Sequence, residues 1–286
     1  MPTPEPHTVR RARPLLGTLV EIAVSDDRHS QEKLHAAVSD AFAEVERVHR
    51  LMSFHEATSD LSLVNRHALS RPVRVHADTY KVFEMALNFS WLTQGAFDPT
   101  VAAPILESSG YLPSCRTQCD PGADWRDIEL LGDTCIRYRR AVRADLGGIA
   151  KGFAVDLAVC ALAARDIEDV LVNAGGDLRV AGPRSHGVRL RHPVEPLEKA
   201  YFLEIKGRAL ATSAPYFSRR KDASNREMSA LVDPVNRMPE LDVGSVTVLA
   251  SDCASADALT KAVLFASREV AERSLAVCGA EACVIK

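Results

Sequence analysis

Strand-like segments in this chain arrive in adjacent groups, and the groups are separated by helices long enough to cover a sheet. Residues 18–24 alternate apolar and polar side chains and are rich in β-branched residues, the period of a half-buried strand. Leu34, Val38, Ala41, Phe42, Val45, Val48 and Met52 then recur at helical spacing behind Ser30, a suitable N-cap. Residues 60–66 predict a shorter helix capped by Ser59, and Val82, Phe83, Ala86, Phe89 and Leu92 mark a second long amphipathic helix ending near Gly95. Residues 113–127 are polar, with Pro, Gly and two cysteines, and read as a loop. Short strands are expected at 135–138 and 142–144, then a helix from about Ile149 past Leu162. Residues 170–172 predict a strand that stops at Asn173-Ala174-Gly175-Gly176. Further strands are expected at 202–205, 209–212, 231–232 and 245–250, followed by helices over 256–266 and 270–278 and a last strand at 282–285. Strands in hairpin-like groups between helices point to an α+β fold, not a doubly wound parallel sheet.

Composition narrows the function. With 286 residues and 47% hydrophobic content, the chain can build a core without disulfide or metal staples. A formal net charge of -3 and the lack of a basic stripe argue against a nucleic-acid binder. The Arg10-Arg11-Ala12-Arg13 cluster is short and reads as part of a solvated N-terminal arm. Seven cysteines, an odd number without zinc-ribbon or thioredoxin spacing, read as reduced thiols. The first residues show no apolar run, so neither a signal peptide nor a lipoprotein leader is expected. No apolar stretch of membrane-spanning length exists, and the expected location is cytoplasmic. The G-x-G-x-x-G, P-loop, H-E-x-x-H and G-x-S-x-G patterns are missing, which disfavours dehydrogenase, P-loop kinase, zincin and α/β-hydrolase readings.

Several segments carry chemistry. Asp145-Leu146-Gly147-Gly148-Ile149-Ala150-Lys151-Gly152 follows a predicted strand and opens a predicted helix. Its glycines let backbone approach a ligand, helix-start amides suit phosphate oxygens, and Lys151 adds positive charge. The bland alternative is a turn with a solvated lysine. Asn173-Ala174-Gly175-Gly176-Asp177 reads as a plain hairpin turn. In Gly95-Ala96-Phe97-Asp98-Pro99-Thr100, Phe97 offers an aromatic surface and Asp98 an acceptor for a ring N–H, or the segment is simply a helix stop. Asp257 is either a cap or a hard-metal ligand, since Mg²⁺ prefers carboxylate and phosphate oxygens. His55, His186 and His192 lie in polar contexts and read as surface residues.

Taken in order, these segments resemble the FAD:protein FMN transferase (ApbE) family. The matching pieces are Leu16-Gly17-Thr18, Met52-Ser53-Phe54 with Leu61 and Asn65, 95–100, 145–152, 173–177, Ala211-Thr212-Ser213, Val232-Asp233-Pro234, Ser245-Val246-Thr247-Val248 and Asp257-Ala258-Leu259. The resemblance implies a T-fold-like architecture of antiparallel sheets and helices around a flavin cleft, spanning residues 10–286, with 1–9 as a flexible arm. It implies transfer of the FMN half of FAD to a Thr or Ser hydroxyl of a partner flavoprotein, with release of AMP and use of Mg²⁺. By position, Leu16, Phe54, Ala96, Phe97, Asp98, Asp145, Lys151 and Leu231 would contact the flavin nucleotide. Gly148 would give the metal a carbonyl and Asp257 a carboxylate.

Three departures from the family pattern stand out. The His expected three residues before the Asp-Pro pair is Ala230. The Thr metal ligand expected four residues after Asp257 is Lys261, with Thr260 one place early. Ser213-Ala214 and Asn236-Arg237 replace a Ser-Gly and a Thr-Gly pair. An ammonium at Lys261 either enters the cleft, replacing part of the cation's charge and repelling Mg²⁺, or reaches solvent from its helix. Two functional readings follow: a transferase with a modified centre, and an FAD-binding or flavin-delivery protein of the same fold. A third, a structural partner that has lost flavin, is disfavoured by the surviving Asp98, Asp145, Lys151 and Asp257.

Overall fold

The computed structural model describes residues 7–110, 112, 118–193, 195, 200–215, 218–222 and 224–285. In chain order the elements are β1 (His7–Leu15), β2 (Thr18–Asp26), α1 (Gln31–Met52), α2 (Asp60–His67), β3 (Val73–Arg74), α3 (Ala77–Leu92) and α4 (Ala102–Ser108). Then come β4 (Ile128–Leu131), β5 (Cys135–Tyr138), α5 (Ala150–Ala163), β6 (Asp169–Ala174), β7 (Asp177–Ala181), β8 (His186–Arg191) and β9 (Ala200–Ile205). The chain continues through β10 (Ala209–Ser213), β11 (Arg220–Lys221), β12 (Glu227–Met228), β13 (Ser245–Ala250), α6 (Cys253–Phe265), α7 (Arg268–Val277) and β14 (Glu281–Ile285).

The main sheet has seven strands in the order β1-β2-β6-β7-β10-β13-β14, every pair antiparallel. Period-two alternation sorts its two faces. On one side Val20, Ile22, Val172, Ala211 and Val248 are buried in the main core, which α1, α5 and α6 share. On the other, Leu178, Val180 and Leu210 join Leu190 and Ile205 of the β8–β9 hairpin in a smaller core. β3, β5 and β4 form a separate three-stranded sheet beside α2 and α3. Helix ends are capped as the sequence suggests, since the Ser30 and Ser59 side chains accept from the amides of Lys33 and Ser62.

α5 is apolar on nearly all sides because it lies between α1, α6 and the sheet. Its one carboxylate, Asp156, accepts from the amides of Cys253 and Ala254 at 2.9 Å each and so pins the start of α6. Arg179 on β7 reaches the same carboxylate at 2.8 Å. This fixes the axial position of α6, and with it the residues one and two turns further along.

The structure revises four expectations. The Arg10–Arg13 cluster is not a solvated arm: it lies in β1, as do His7 to Val9 of the expected flexible segment, while residues 1–6 lie outside the described ones. Arg10 pairs with Glu21 at 2.8 Å and Arg13 with Glu46 at 2.6 Å, and the Arg13 guanidinium lies 4.8 Å from the Phe42 ring centroid. β1 is an edge strand, which tolerates its arginines and Pro14 and explains why it lacks a clean hydrophobic alternation. Residues 142–144 are not a strand. The side chain of Asn65 takes the partner strand's place, donating to the Ala144 carbonyl and accepting from its amide, both at 2.8 Å. Residues 231–232 contribute only one isolated bridge, Val232 to Pro239. In the expected loop at 113–127, residues 125–127 form a 3-10 turn closed by a capping box from Asp124, and 113–117 lie outside the described residues.

Gly152 tests this packing. A Cβ there would sit 2.4 Å from the carbonyl oxygen of Cys253 and 2.7 Å from Cα of Ala254. Replacing a helix-interior glycine by alanine ordinarily stabilises by about 0.5–1 kcal/mol. Here overpacking against fixed backbone reverses the sign, so Gly152→Ala is expected to cost about 1–3 kcal/mol in urea unfolding. A neutral or stabilised variant would show that α5 and α6 are not held at this separation.

Candidate functional site

A cleft of about 560 Å³ opens at one end of the main sheet. Two hairpin turns form its floor. Leu15 pairs with Thr18, leaving Leu16 (φ 55°) and Gly17 (φ 72°) as a two-residue turn. Ala174 pairs with Asp177, leaving Gly175 (φ 68°) and Gly176 (φ 111°) as another. Positive φ at both turn positions matches strand twist in such hairpins. The turns touch: a Cβ on Gly175 would lie 2.3 Å from Oγ1 of Thr18. The plain hairpin turn read at 173–177 is therefore also a wall of the cleft.

The second wall follows α3. Thr93 ends that helix, and its Oγ1 accepts from the Phe97 amide at 2.9 Å. Phe97 is 4% exposed and meets Phe89 edge-on, with ring centroids 6.3 Å apart. Little of its ring is left to face a ligand. Asp98 accepts from the amide and hydroxyl of Thr100, each at 2.7 Å on one oxygen, and burial raises its carboxyl above the usual range. A neighbouring recess of about 360 Å³ shares Ala96, Asp98 and Phe265 with the cleft and contains Trp125.

The Asp145–Gly152 segment forms the third wall. Asn65 holds Ala144, and the Asp145 amide donates to the Pro99 carbonyl at 2.7 Å. The Asp145 carboxylate folds back to accept from the Gly147 amide at 2.9 Å. Ile149, the residue before α5, provides no side-chain cap. Burial pushes the Asp145 carboxyl up, against the pull of that amide and of Lys151 and Lys261.

Charge gathers where β7, α5 and α6 meet. Lys151 Nζ lies 2.6 Å from Asp177 and 3.3 Å from Asp257. Lys261 Nζ lies 2.6 Å from the other Asp257 oxygen, 3.0 Å from the Asp257 carbonyl and 3.5 Å from the Gly148 carbonyl. Both carboxylates are nearly inaccessible, whereas Lys151 and Lys261 keep 31% and 15% of their side chains exposed. Burial opposes the charge on Lys151, but Asp177 and Asp257 outweigh it and raise the lysine's pKa. Burial also acts against ionised Asp257, yet the two lysines hold its carboxyl below the usual range. Below them Thr260 donates to the Asp257 carbonyl at 2.6 Å, so Ser213, 2.7 Å from the Thr260 hydroxyl, must be the donor in that contact.

Leu16, Ala96, Phe97, Asp98, Asp145, Gly148, Lys151, Leu231, Ala230 and Lys261 all line the cleft. Phe54 is half-buried against the main core, outside the lining, and Asp257 lies behind the lysines. The two positions implied as metal ligands, Gly148 and Asp257, do meet, and the ammonium of Lys261 lies between them. Among the described residues no group of three or more His, Cys, Asp or Glu is arranged to hold a metal ion. Asp177 and His55 were missed as site residues, although both line the cleft. Asp177 carries a readable signal, a buried-strand carboxylate directly after the Gly175-Gly176 turn. His55 carries none, since it is exposed in the bend after α1.

An α+β protein whose sheet end, helix-start loop and paired lysines converge on one cleft belongs to the class that grips anionic, ring-bearing ligands. The model of the ApbE family matches residues 16–284. The chain belongs to the ApbE family. It is 28% identical over 284 residues to the FAD:protein FMN transferase of Treponema pallidum, a match covering 88% of this chain and 77% of that protein. With the FAD:protein FMN transferase of Vibrio cholerae it shares 31% identity over 243 residues, 79% of this chain and 72% of that one. The crystal structure of the Thermotoga maritima ApbE protein superposes with a TM-score of 0.84 at 26% identity, covering 97% and 94% of the two chains. The flavin transferase ApbE from Vibrio cholerae has the same fold, with a TM-score of 0.79 at 24% identity over 98% and 93%.

Asp145 yields a pH-dependent prediction. A carboxyl whose folded pKa is raised costs stability when ionised. That cost is full above the folded value and fades as pH falls through it toward the unfolded value of about 3.9. Asp145→Asn keeps an oxygen for the Gly147 amide. It is therefore expected to raise the Tm of the ligand-free protein at about pH 8, and to raise it less at about pH 5. A gain that is constant or larger at the lower pH would refute the assignment.

Proposed function

We propose that this chain is an FAD:protein FMN transferase, moving the FMN half of FAD onto a Thr or Ser hydroxyl of a partner flavoprotein. The observation that carries this reading is the pair of ammonium groups, Lys151 from the Asp145–Gly152 segment and Lys261 from α6, held at the cleft by buried carboxylates. Relatives at 28% and 31% identity bear the same name. In the reaction the acceptor oxygen bonds to the FMN phosphorus, the anhydride P–O bond breaks, and AMP leaves with the bridging oxygen. Charge then spreads over the phosphoryl oxygens, and fixed cations already in place stabilise it without reorganising.

The residues divide by chemistry. Lys151 and Lys261 face the diphosphate, with the start of α5 adding its positive end. Leu16, Ala96 and Leu231, with the remaining edge of Phe97, give an apolar lining for a ring, Phe54 supports it from the core side, and Asp98 and Asp145 accept N–H or O–H groups of the nucleotide. The adjoining recess with Trp125 supports a ligand with two ring-bearing ends. With the main sheet continuous from β1 to β14, residues 10–286 act as one transferase domain. Free thiols at Cys135, Cys160, Cys253, Cys278 and Cys283 support the reducing, cytoplasmic setting expected from the sequence.

One observation favours a second reading. Ala230, where the resemblance gives a histidine, lines the cleft and brings no base to take the hydroxyl proton. A flavin-binding or flavin-delivery protein needs no such group. Incubation with FAD and an acceptor flavoprotein domain separates the two: flavin fluorescence that follows the acceptor through denaturing electrophoresis supports transfer. Bound FAD without covalent product supports delivery, and failure to retain any flavin removes both. If transfer occurs, Ala230→His is expected to accelerate it by about 10²-fold or more, the scale of an added general base. An unchanged rate would place the proton acceptor elsewhere.

A further inference from the structure

The side chain that replaces the expected metal ligand does not turn away from the site. Lys261 stands one turn after Asp257 on α6, and its stem packs against the loop, so that a Cβ on Gly148 would lie 3.1 Å from the lysine Cε. Its Nζ meets the Asp257 carboxylate, the Asp257 carbonyl and, at the outer edge of hydrogen-bond reach, the Gly148 carbonyl. The remaining Asp257 oxygen accepts from Lys151. Each oxygen of that carboxylate is thus held by an ammonium. Mg²⁺ requires about six oxygens drawn in to about 2.0–2.1 Å. At Gly148 and Asp257 it would have to displace one lysine and remain beside another. The residues present do not fit the metal.

We propose, resting on the flavin reading above, that Lys261 is a built-in replacement for the divalent cation: this site excludes Mg²⁺, and the ammonium itself supplies the positive charge to the dinucleotide's diphosphate. Two features beyond position support the assignment. The lysine is held on α6 by Asp257, and its stem packs against the Gly148 loop, so its charge stays at the cleft. Both oxygens of Asp257 are already engaged, one by Lys261 and the other by Lys151, so neither is open to a metal ion.

The test reads binding rather than turnover. The full chain is titrated with FAD by flavin fluorescence in EDTA and in millimolar Mg²⁺, and Mn²⁺ binding is followed by EPR with and without FAD. The affinity for FAD is expected to agree in the two buffers within about twofold, with no protein-bound Mn²⁺ signal, because both Asp257 oxygens are held by ammonium groups. In Lys261→Thr, affinity in EDTA is expected to fall by about tenfold or more, the scale of one lost charge-assisted hydrogen bond, and Mg²⁺ is expected to restore it. Lys261→Met should lose the same affinity without metal rescue. FAD binding by the unaltered chain that EDTA abolishes would overturn the proposal. So would a bound Mn²⁺ signal that disappears in Asp257→Asn while circular dichroism shows that variant folded. Failure to bind FAD in either buffer would defeat the flavin reading instead, and the Mn²⁺ measurement on the ligand-free chain would still decide whether this site takes a metal.

Discussion

Lys151 reaches from the first turn of α5 to Asp177 on β7 and Asp257 on α6, and that contact joins the sheet to both buried helices at the point where the cleft opens. Without it, Asp177, a carboxylate with almost no access to water, would lose its ammonium partner and Asp257 would keep Lys261 alone; breaking a buried pair in this way costs several kcal/mol in real proteins. The constraint works in both directions. The carboxylates hold the ammonium charged against burial, and the ammonium sets how closely β7 and α6 approach. Gly152, one residue on, permits that approach by leaving room for the backbone of Cys253. The start of α6 is fixed separately by Asp156, so the charged cluster does not have to carry the packing of the helices alone.

Fold class was readable because the apolar periods are strong where burial is complete. Leu34 to Met52 on α1 and Val246 to Ala250 on β13 leave little choice of element. Misreadings occurred where side chains replace backbone as the organising partner. Residues 142–144 have strand-like composition, but they are fixed by the amide of Asn65 and join no ladder. β1 has the opposite character: polar and proline-bearing, it is still a strand, because an edge position asks for one paired side only and its arginines find Glu21, Glu46 and Phe42.

Glycine spacing marked the close approach at 145–152, whereas 173–177, with a similar glycine pair, read as a plain hairpin turn. Asp145 was singled out in the first of these and Asp98 at the helix stop of 95–100; both line the cleft, as does Asp177, which was not singled out. Phe97 shows the limit. Its place in a helix-stop motif suggested a ring offered to a ligand, whereas Phe89 takes most of its surface. Nothing in the linear pattern distinguishes a ring that lines a cavity from one that closes the core behind it. Lys261 shows the same limit for charge: an i,i+4 partner on a helix predicts the contact with Asp257, but not that the Gly148 loop closes over the other side.

The Asn65 bracket has a mechanical consequence. A strand held by a ladder shares its load over many backbone bonds, and losing one barely shifts the rest. The approach to Asp145 instead rests on a few discrete contacts: one carboxamide of α2, which also accepts from the buried Tyr138 hydroxyl at 3.0 Å, the Pro99 carbonyl, and the pairing of Arg143 with Glu107. The lip of the cavity is thereby tied to α2 through a side chain about 80 positions distant along the chain, so shortening that carboxamide would reach the cavity without touching its lining.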